Sequence, residues 1–273
     1  MIKVQRASLD EDHQTEIDLQ QLALDGDNPS PTAWEDFRNS PLYPGLKTAL
    51  NNVFHDKCGY CEAPRATLVD HYWPRAPHPQ NQNRGGPAKM FVWDNLVLAC
   101  PDCNGFECKA ARMEWDNAGN PLLLNPCLDE PICYLTFTWK EGPKFTVGWM
   151  EPRQDITSNS HTRAEYTIRR LKLNTRENLP RGRARALLDF LAWTEFLIVL
   201  GPDREAPSGY TVRQRLTDLL SAKEPYLSGI RQILYQEPEY VGLYAAIIDQ
   251  APELKEILDE WALPPDDCSH TLR

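Results

Sequence analysis

The fold of this chain is decided by a stretch that begins at Cys58-Gly-Tyr-Cys61 and ends at Cys100-Pro-Asp-Cys103-Asn104 and Lys109. Two further motifs lie inside it, Val69-Asp70-His71-Tyr-Trp-Pro74 and Val92-Trp-Asp-Asn95-Leu96. Both cysteine pairs have Cys-x-x-Cys spacing, and such a knuckle supplies two thiolates to one metal ion. We therefore expect the four thiolates to hold one structural Zn²⁺, because protein would fill all four positions. A redox pair and a chance spacing are the competing interpretations.

The composition predicts a globular protein of the cytoplasm. The 273 residues are 41% hydrophobic and 25% charged, which is ordinary for a globular protein. The sequence contains no run of about 18 apolar residues, so no membrane span is expected. The amino terminus lacks the build of a signal peptide, so we expect a reducing compartment in which thiols bind metal. The other four cysteines are expected to be buried or incidental; they are Cys108, Cys127, Cys133 and Cys268.

The formal net charge of −10 argues against a polyanionic partner, but the charge is unevenly distributed. Residues 58–112 carry six basic and five acidic side chains, and residues 161–185 carry eight basic and two acidic ones. Because the local field decides where a phosphate backbone docks, nucleic acid is expected at these segments. The basic side chains of residues 161–185 fit an exposed helical face or an acidic partner surface equally well.

Hydrophobic periodicity predicts an α+β protein in four parts. We expect an N-terminal helical scaffold over residues 1–56, a compact unit around the cysteine pairs over 57–116, an extension with a β-hairpin over 117–160, and a helical region over 161–273.

Some local predictions bear on the site. Leu46, Leu50 and Phe54 recur at helical spacing before the first cysteine pair. Residues 77–89 are rich in Pro, Asn, Gln and Gly and predict a loop. Residues 104–112 are expected to open a helix, and residues 240–262 to form another.

The polar residues between the cysteine pairs suit phosphodiester hydrolysis. That reaction needs a base to deprotonate water and a cation to offset the charge that develops on phosphate. Mg²⁺ prefers oxygen ligands, which the Asp70 carboxylate and the Asn104 carbonyl can supply. An imidazole has an unperturbed pKa of about 6.5, so His71 suits the role of base. A packed or solvated histidine is the alternative interpretation.

Taken together, these motifs resemble the HNH (ββα-metal) endonuclease family, in the version with Asn at the third signature position. The resemblance implies a ββα-metal core in which His71 is the general base and Asp70 and Asn104 bind one Mg²⁺ or Mn²⁺ ion. It also implies that Asn95 holds the loop and orients His71. Asn104 stands where the family name expects His, which favours a hard cation. Arg75, Lys109 and Arg112 lie close to the signature and are candidates for phosphate contacts. Lys109 is the candidate for stabilising transition-state charge, with a solvated surface lysine as the alternative.

A narrower resemblance extends beyond the motif, to the HNH nuclease subunits of Septu-type bacterial anti-phage defence systems, some of them retron-associated. It is carried by the Met1-Ile-Lys-Val-Gln-Arg6 start, the first cysteine pair, His71-Tyr-Trp-Pro-Arg75 and Leu124-Asn-Pro126. The resemblance implies an ATPase partner subunit. DNA is the expected substrate, RNA including tRNA is an alternative, and a catalytically inactive zinc-stabilised adaptor is the hypothesis from another class.

Overall fold

The computed structural model describes residues 8–24, 32–64, 66–75, 77–78, 81–105, 108, 113–141, 146–176, 178–205, 210–235, 242–261 and 268. These residues contain helices and short antiparallel strand pairs, so the α+β class is as predicted. They fall into two compact units, one drawn from residues 3–60 and 64–129 and the other from residues 61–63 and 130–273.

Three helices open the first unit: α1 (Glu11–Leu24), α2 (Ala33–Arg38) and α3 (Tyr43–Phe54). In α3 the side chains of Leu46, Leu50 and Phe54 are all buried, which confirms the predicted helix. The helix ends at His55, whose φ of 51° is in the left-handed region. This turn directs the chain into the first cysteine pair.

Four short strands follow: β1 (Leu68–His71), β2 (Pro77–His78), β3 (Asn81–Gly85) and β4 (Leu96–Ala99). β1 pairs antiparallel with β4, and β2 pairs antiparallel with β3. The helix α4 (Pro101–Asn104) comes directly after β4 and contacts β1. β4 is buried along its whole length, so the β1–β4 pair anchors the site in the core of this unit.

Two local predictions were wrong in this unit. Among residues 77–89, the described ones form β2, β3 and a 3₁₀ turn at Gly86–Lys89 rather than a loop. Backbone pairing needs no apolar side chains, and so polar composition hid these strands. The helix expected over 104–112 instead ends at Asn104, because Gly105 is extended, with φ −71° and ψ 162°. Residues 106–107 and 109–112 lie outside the described part of the chain.

The second unit joins a β-hairpin to a group of helices. The hairpin pairs β5 (Leu135–Glu141) with β6 (Thr146–Pro152), as predicted. The helices are α5 (Ser158–Arg170), α6 (Asn178–Leu200), α7 (Val212–Leu219), α8 (Leu227–Tyr235), α9 (Leu243–Gln250) and α10 (Lys255–Trp261). The buried faces of α6 to α10 form one apolar core with Phe137 of the hairpin.

The single helix predicted over residues 240–262 is two helices, α9 and α10. The helical conformation is interrupted at Ala251, with φ −142° and ψ 73°, and Pro252–Leu254 forms a 3₁₀ turn. Proline has no backbone N–H and disfavours the helical conformation of the residue before it. Among the described residues, no helix is long and apolar enough to cross a membrane.

Candidate functional site

Four buried thiols come together at the two cysteine pairs. The Sγ atoms of Cys58, Cys61, Cys100 and Cys103 all lie within 4.8 Å of one another. A tetrahedral zinc site with Zn–S bonds of about 2.3 Å has sulfur–sulfur distances of about 3.8 Å. The donor set and its spacing therefore fit one Zn²⁺ ion.

The local sequence explains why each pair folds as a tight turn. Gly59 donates a backbone hydrogen bond to the Leu98 carbonyl at 2.9 Å. A Cβ at this position would lie 2.6 Å from Phe54 and 2.9 Å from Val97, so only glycine fits. In the second pair, Cys100 caps α4 by accepting from the Cys103 N–H at 3.4 Å. Pro101 occupies the first helical turn, where its missing N–H costs nothing.

Asp70 is held by a residue of the first cysteine pair. The hydroxyl of Tyr60 donates to Oδ2 of Asp70 at 2.6 Å, and Tyr60 is fully buried. Burial, together with the adjacent Asp70 carboxylate, raises the pKa of Tyr60 well above its usual range. The phenol therefore stays protonated and keeps donating across the physiological pH range.

The His71 ring is fixed on two sides. Its Nε2 lies 2.9 Å from the Met90 carbonyl oxygen, and the ring of Trp34 packs edge-on against it with centroids 4.3 Å apart. A carbonyl can only accept, so Nε2 carries the proton. In the neutral imidazole the basic nitrogen is then Nδ1.

Asn95 ties together the chain segments on both sides of the β2–β3 hairpin. Its Oδ1 accepts from the Trp73 N–H at 2.6 Å, and its Nδ2 donates to the carbonyls of Trp73 at 3.1 Å and Lys89 at 2.7 Å. The side chain is 2% exposed. Because the Asn95 carbonyl also accepts from the Tyr72 N–H at 2.8 Å, the backbone just after His71 is held at several points.

The remaining predicted site residues have different surroundings. Asn104 is the last residue of α4, the helix that contacts the strand bearing Asp70. Lys109 and Arg112 lie outside the described residues. Arg75, a possible phosphate contact, instead pairs with Glu35 at 2.6 Å, and both side chains remain about half exposed.

The basic run of residues 161–185 is not one continuous exposed surface. Arg183 is 2% exposed and donates to the carbonyls of Gly148 at 3.1 Å and Leu173 at 2.6 Å. Burial lowers the pKa of Arg183 to about 10. Arg181 and Arg185 are exposed on the same helix. Arg181 and Arg185 can thus contact a phosphate backbone, whereas the buried Arg183 cannot.

Two of the remaining cysteines are paired, which was not predicted from the sequence; Cys133 is buried, as expected. Cys133 and Cys268 form a disulfide, with Cα atoms 5.2 Å apart and a sequence separation of 135 residues. Cys108 is buried and Cys127 is partly exposed, and neither is in a disulfide. The sequence carries no spacing signal for a pairing over so long a distance.

Sequence reasoning also missed residues that hold the predicted ones. These residues are Tyr60, which contacts Asp70, and Met90 and Trp34, which contact His71. The position of Tyr60 between the two cysteines of the first pair was an available signal, because it places this side chain beside the candidate metal ligands. Nothing in the sequence indicated the Met90 carbonyl.

Comparison with known proteins gives a partial match. The chain is 27% identical over 148 residues to a protein named Septu protein PtuB from Bacillus mycoides (strain KBAB4). The alignment covers 47% of this chain and 50% of that protein. The chain therefore spans about half the length of the curated relative it matches. No family model and no solved structure matches it.

Proposed function

We propose that this chain is an HNH endonuclease that hydrolyses phosphodiester bonds with a divalent cation, preferentially in DNA. The supporting observation is the strand–strand–helix arrangement of β1, β4 and α4. Asp70 and His71 end the first strand, and Asn104 ends the helix that contacts it. The second cysteine pair belongs to that helix, with Cys100 as its N-cap and Cys103 inside it, so a zinc ion bound by the cluster would hold the helix in place.

His71 acts as the general base. Its Nε2–H is engaged by the Met90 carbonyl, so Nδ1 is the nitrogen that takes a proton from the attacking water. The Trp34 ring and the Asn95 hydrogen bonds keep the imidazole and the following backbone in one orientation. Holding the base in position accounts for part of the rate enhancement in such a site.

Asp70 and Asn104 would hold the catalytic cation, Mg²⁺ or Mn²⁺. A carboxylate and a side-chain amide are the hard oxygen donors that these ions prefer. When bound, the cation supplies positive charge against the charge that develops on the phosphate and the leaving oxygen. Lys109 would add a second positive charge near the same group. The Cys₄ zinc ion would be structural, because it has no open position.

Access to the site is restricted. His71 and Asp70 are 5% and 6% exposed, so only a small part of either residue is open to a scissile phosphate. This burial is consistent with a nuclease that is held inactive until a partner presents the substrate. The net charge of −10 supports the same view, because the isolated chain would bind nucleic acid weakly.

We further propose that the chain is the effector of an anti-phage defence complex and acts beside an ATPase subunit. The support is the partial similarity to a Septu protein together with the motif resemblance described above.

The proposal is tested by incubating the purified chain, alone and with its co-purified partner, on duplex DNA and on total RNA. We expect cleavage of DNA with Mg²⁺ or Mn²⁺, no cleavage with EDTA, and products with 5′-phosphate and 3′-hydroxyl ends. Cleavage of RNA alone would reassign the substrate. Cleavage that persists undiminished in EDTA, or none with the partner present, would refute the nuclease assignment.

A further inference from the structure

Tyr60 links the two predicted metal sites through one buried hydrogen bond. It lies between Cys58 and Cys61 in the first knuckle, and its hydroxyl donates to Oδ2 of Asp70 at 2.6 Å. Tyr60 is 0% exposed and Asp70 is 6% exposed. In such surroundings water competes little for the contact, and the bond helps to set the direction of the carboxylate.

The position of the phenol is fixed by the knuckle itself. The cysteines on both sides of Tyr60 have their sulfurs in the four-thiol cluster. The neighbouring Gly59 is bonded to the Leu98 carbonyl and packs closely on Phe54 and Val97. Because the backbone of Tyr60 is held in this way, its phenol can fix Oδ2 of Asp70. The other carboxylate oxygen, Oδ1, then points in one defined direction.

We propose that Tyr60 is a positioning residue that orients the Asp70 carboxylate for its divalent cation and so couples the integrity of the cysteine cluster to that cation site. The inference rests on the proposed function, since it takes Asp70 as a cation ligand. The HNH motif alone does not predict this coupling. Under the proposal, loss of zinc would displace Tyr60 and thereby weaken cation binding at Asp70. Partners that hold a ligand in this way typically change metal affinity or activity roughly 10- to 100-fold when they are removed.

The test uses the zinc-loaded full chain and the variant Tyr60→Phe, which deletes only the hydroxyl. Mn²⁺ binding is measured by the EPR signal of free Mn²⁺, with Asp70→Ala as the baseline that identifies the Asp70 site. The matched control is Tyr72→Phe. That hydroxyl is also buried, but it donates to the Leu123 backbone carbonyl at 2.5 Å.

We expect Tyr60→Phe to retain one zinc per chain and to bind Mn²⁺ roughly 10- to 100-fold more weakly, while Tyr72→Phe binds as the wild type does. In cleavage, the Mg²⁺ concentration for half-maximal rate should rise in Tyr60→Phe, with the rate at saturating Mg²⁺ largely recovered.

Unchanged Mn²⁺ affinity in Tyr60→Phe, an equal loss in Tyr72→Phe, or loss of zinc from Tyr60→Phe would each overturn the positioning role. If the wild type and Asp70→Ala bind Mn²⁺ identically, the cation site itself is wrong and the proposed function fails with it. If the wild type binds Mn²⁺ and cleaves while Tyr60→Phe behaves the same, only the inference about Tyr60 fails.

Discussion

Asn95 holds Trp73 by a double hydrogen bond, across 22 residues of sequence. Its Oδ1 accepts from the Trp73 N–H at 2.6 Å and its Nδ2 donates to the Trp73 carbonyl at 3.1 Å. The same Nδ2 donates to the Lys89 carbonyl at 2.7 Å. One side-chain amide thus joins the two ends of the segment that carries the β2–β3 hairpin. The first of these ends, Trp73, lies two residues after His71.

Replacing Asn95 with Asp should destabilise the protein and reduce cleavage. The change keeps the shape but turns a donor of two hydrogen bonds into a buried acceptor facing two carbonyl oxygens. We expect the free energy of unfolding to fall by about 2–4 kcal/mol, as measured by urea denaturation. Asn52→Asp, on the exposed side of α3, is the control and should change it by less than about 0.5 kcal/mol. Equal effects of the two variants would contradict the role of Asn95.

Removing zinc should unfold the region that the knuckles hold. In Cys100→Ser the cluster loses one thiolate, so the purified variant should carry well under one zinc per chain by elemental analysis. Hydrogen exchange over residues 58–105 should accelerate, since ligand binding and folding are coupled at structural zinc sites. Cys127 lies outside the cluster, so the Cys127→Ser protein should keep one zinc per chain. A Cys100→Ser protein with full zinc content and unchanged exchange would refute the structural role.

The disulfide predicts a specific linked peptide. Proteolysis of alkylated, unreduced protein should yield a fragment that joins Cys133 to Cys268, and mass spectrometry should detect its separation after reduction. Loss of a cross-link over so long a loop should lower the free energy of unfolding by roughly 2–4 kcal/mol. Zinc content should be unaffected, because neither cysteine belongs to the cluster. Recovery of both cysteines as alkylated thiols without reductant would show that the bond is absent.

Arg183 should matter for stability rather than for nucleic-acid contact. Arg183→Lys keeps the charge but loses the fork that reaches the Gly148 and Leu173 carbonyls. We expect a loss of about 2–3 kcal/mol in the free energy of unfolding. The same change at the exposed Arg181 on α6 should stay within about 0.5 kcal/mol. A larger loss of stability at Arg181 than at Arg183 would contradict the burial argument.

The parts of the fold that could be predicted were those with local signals. α3 was predictable because Leu46, Leu50 and Phe54 repeat at helical spacing, and the cysteine cluster was predictable because each pair has knuckle spacing. The β2–β3 hairpin was missed because its pairing lies in the backbone and its side chains are polar. In this region the side-chain pattern therefore gives no signal for the backbone pairing.

The contacts that complete the candidate site are non-local, and so the sequence did not reveal them. The bond from Tyr60 to Asp70 joins a turn to a strand, and the bond from His71 to Met90 uses a backbone carbonyl that any residue would supply. The Cys133–Cys268 disulfide spans 135 residues. Each depends on tertiary packing, which short motifs do not encode.

The most direct test of the proposed nuclease mechanism is the single-turnover rate of DNA cleavage by His71→Ala in Mg²⁺, with the proposed partner subunit present. His161→Ala, a partly exposed histidine near Glu165, serves as the control. If His71 is the base, the rate should fall by at least about 100-fold in His71→Ala and remain at the wild-type value in His161→Ala, with zinc content unchanged in both. Cleavage by His71→Ala at the wild-type rate would contradict the account.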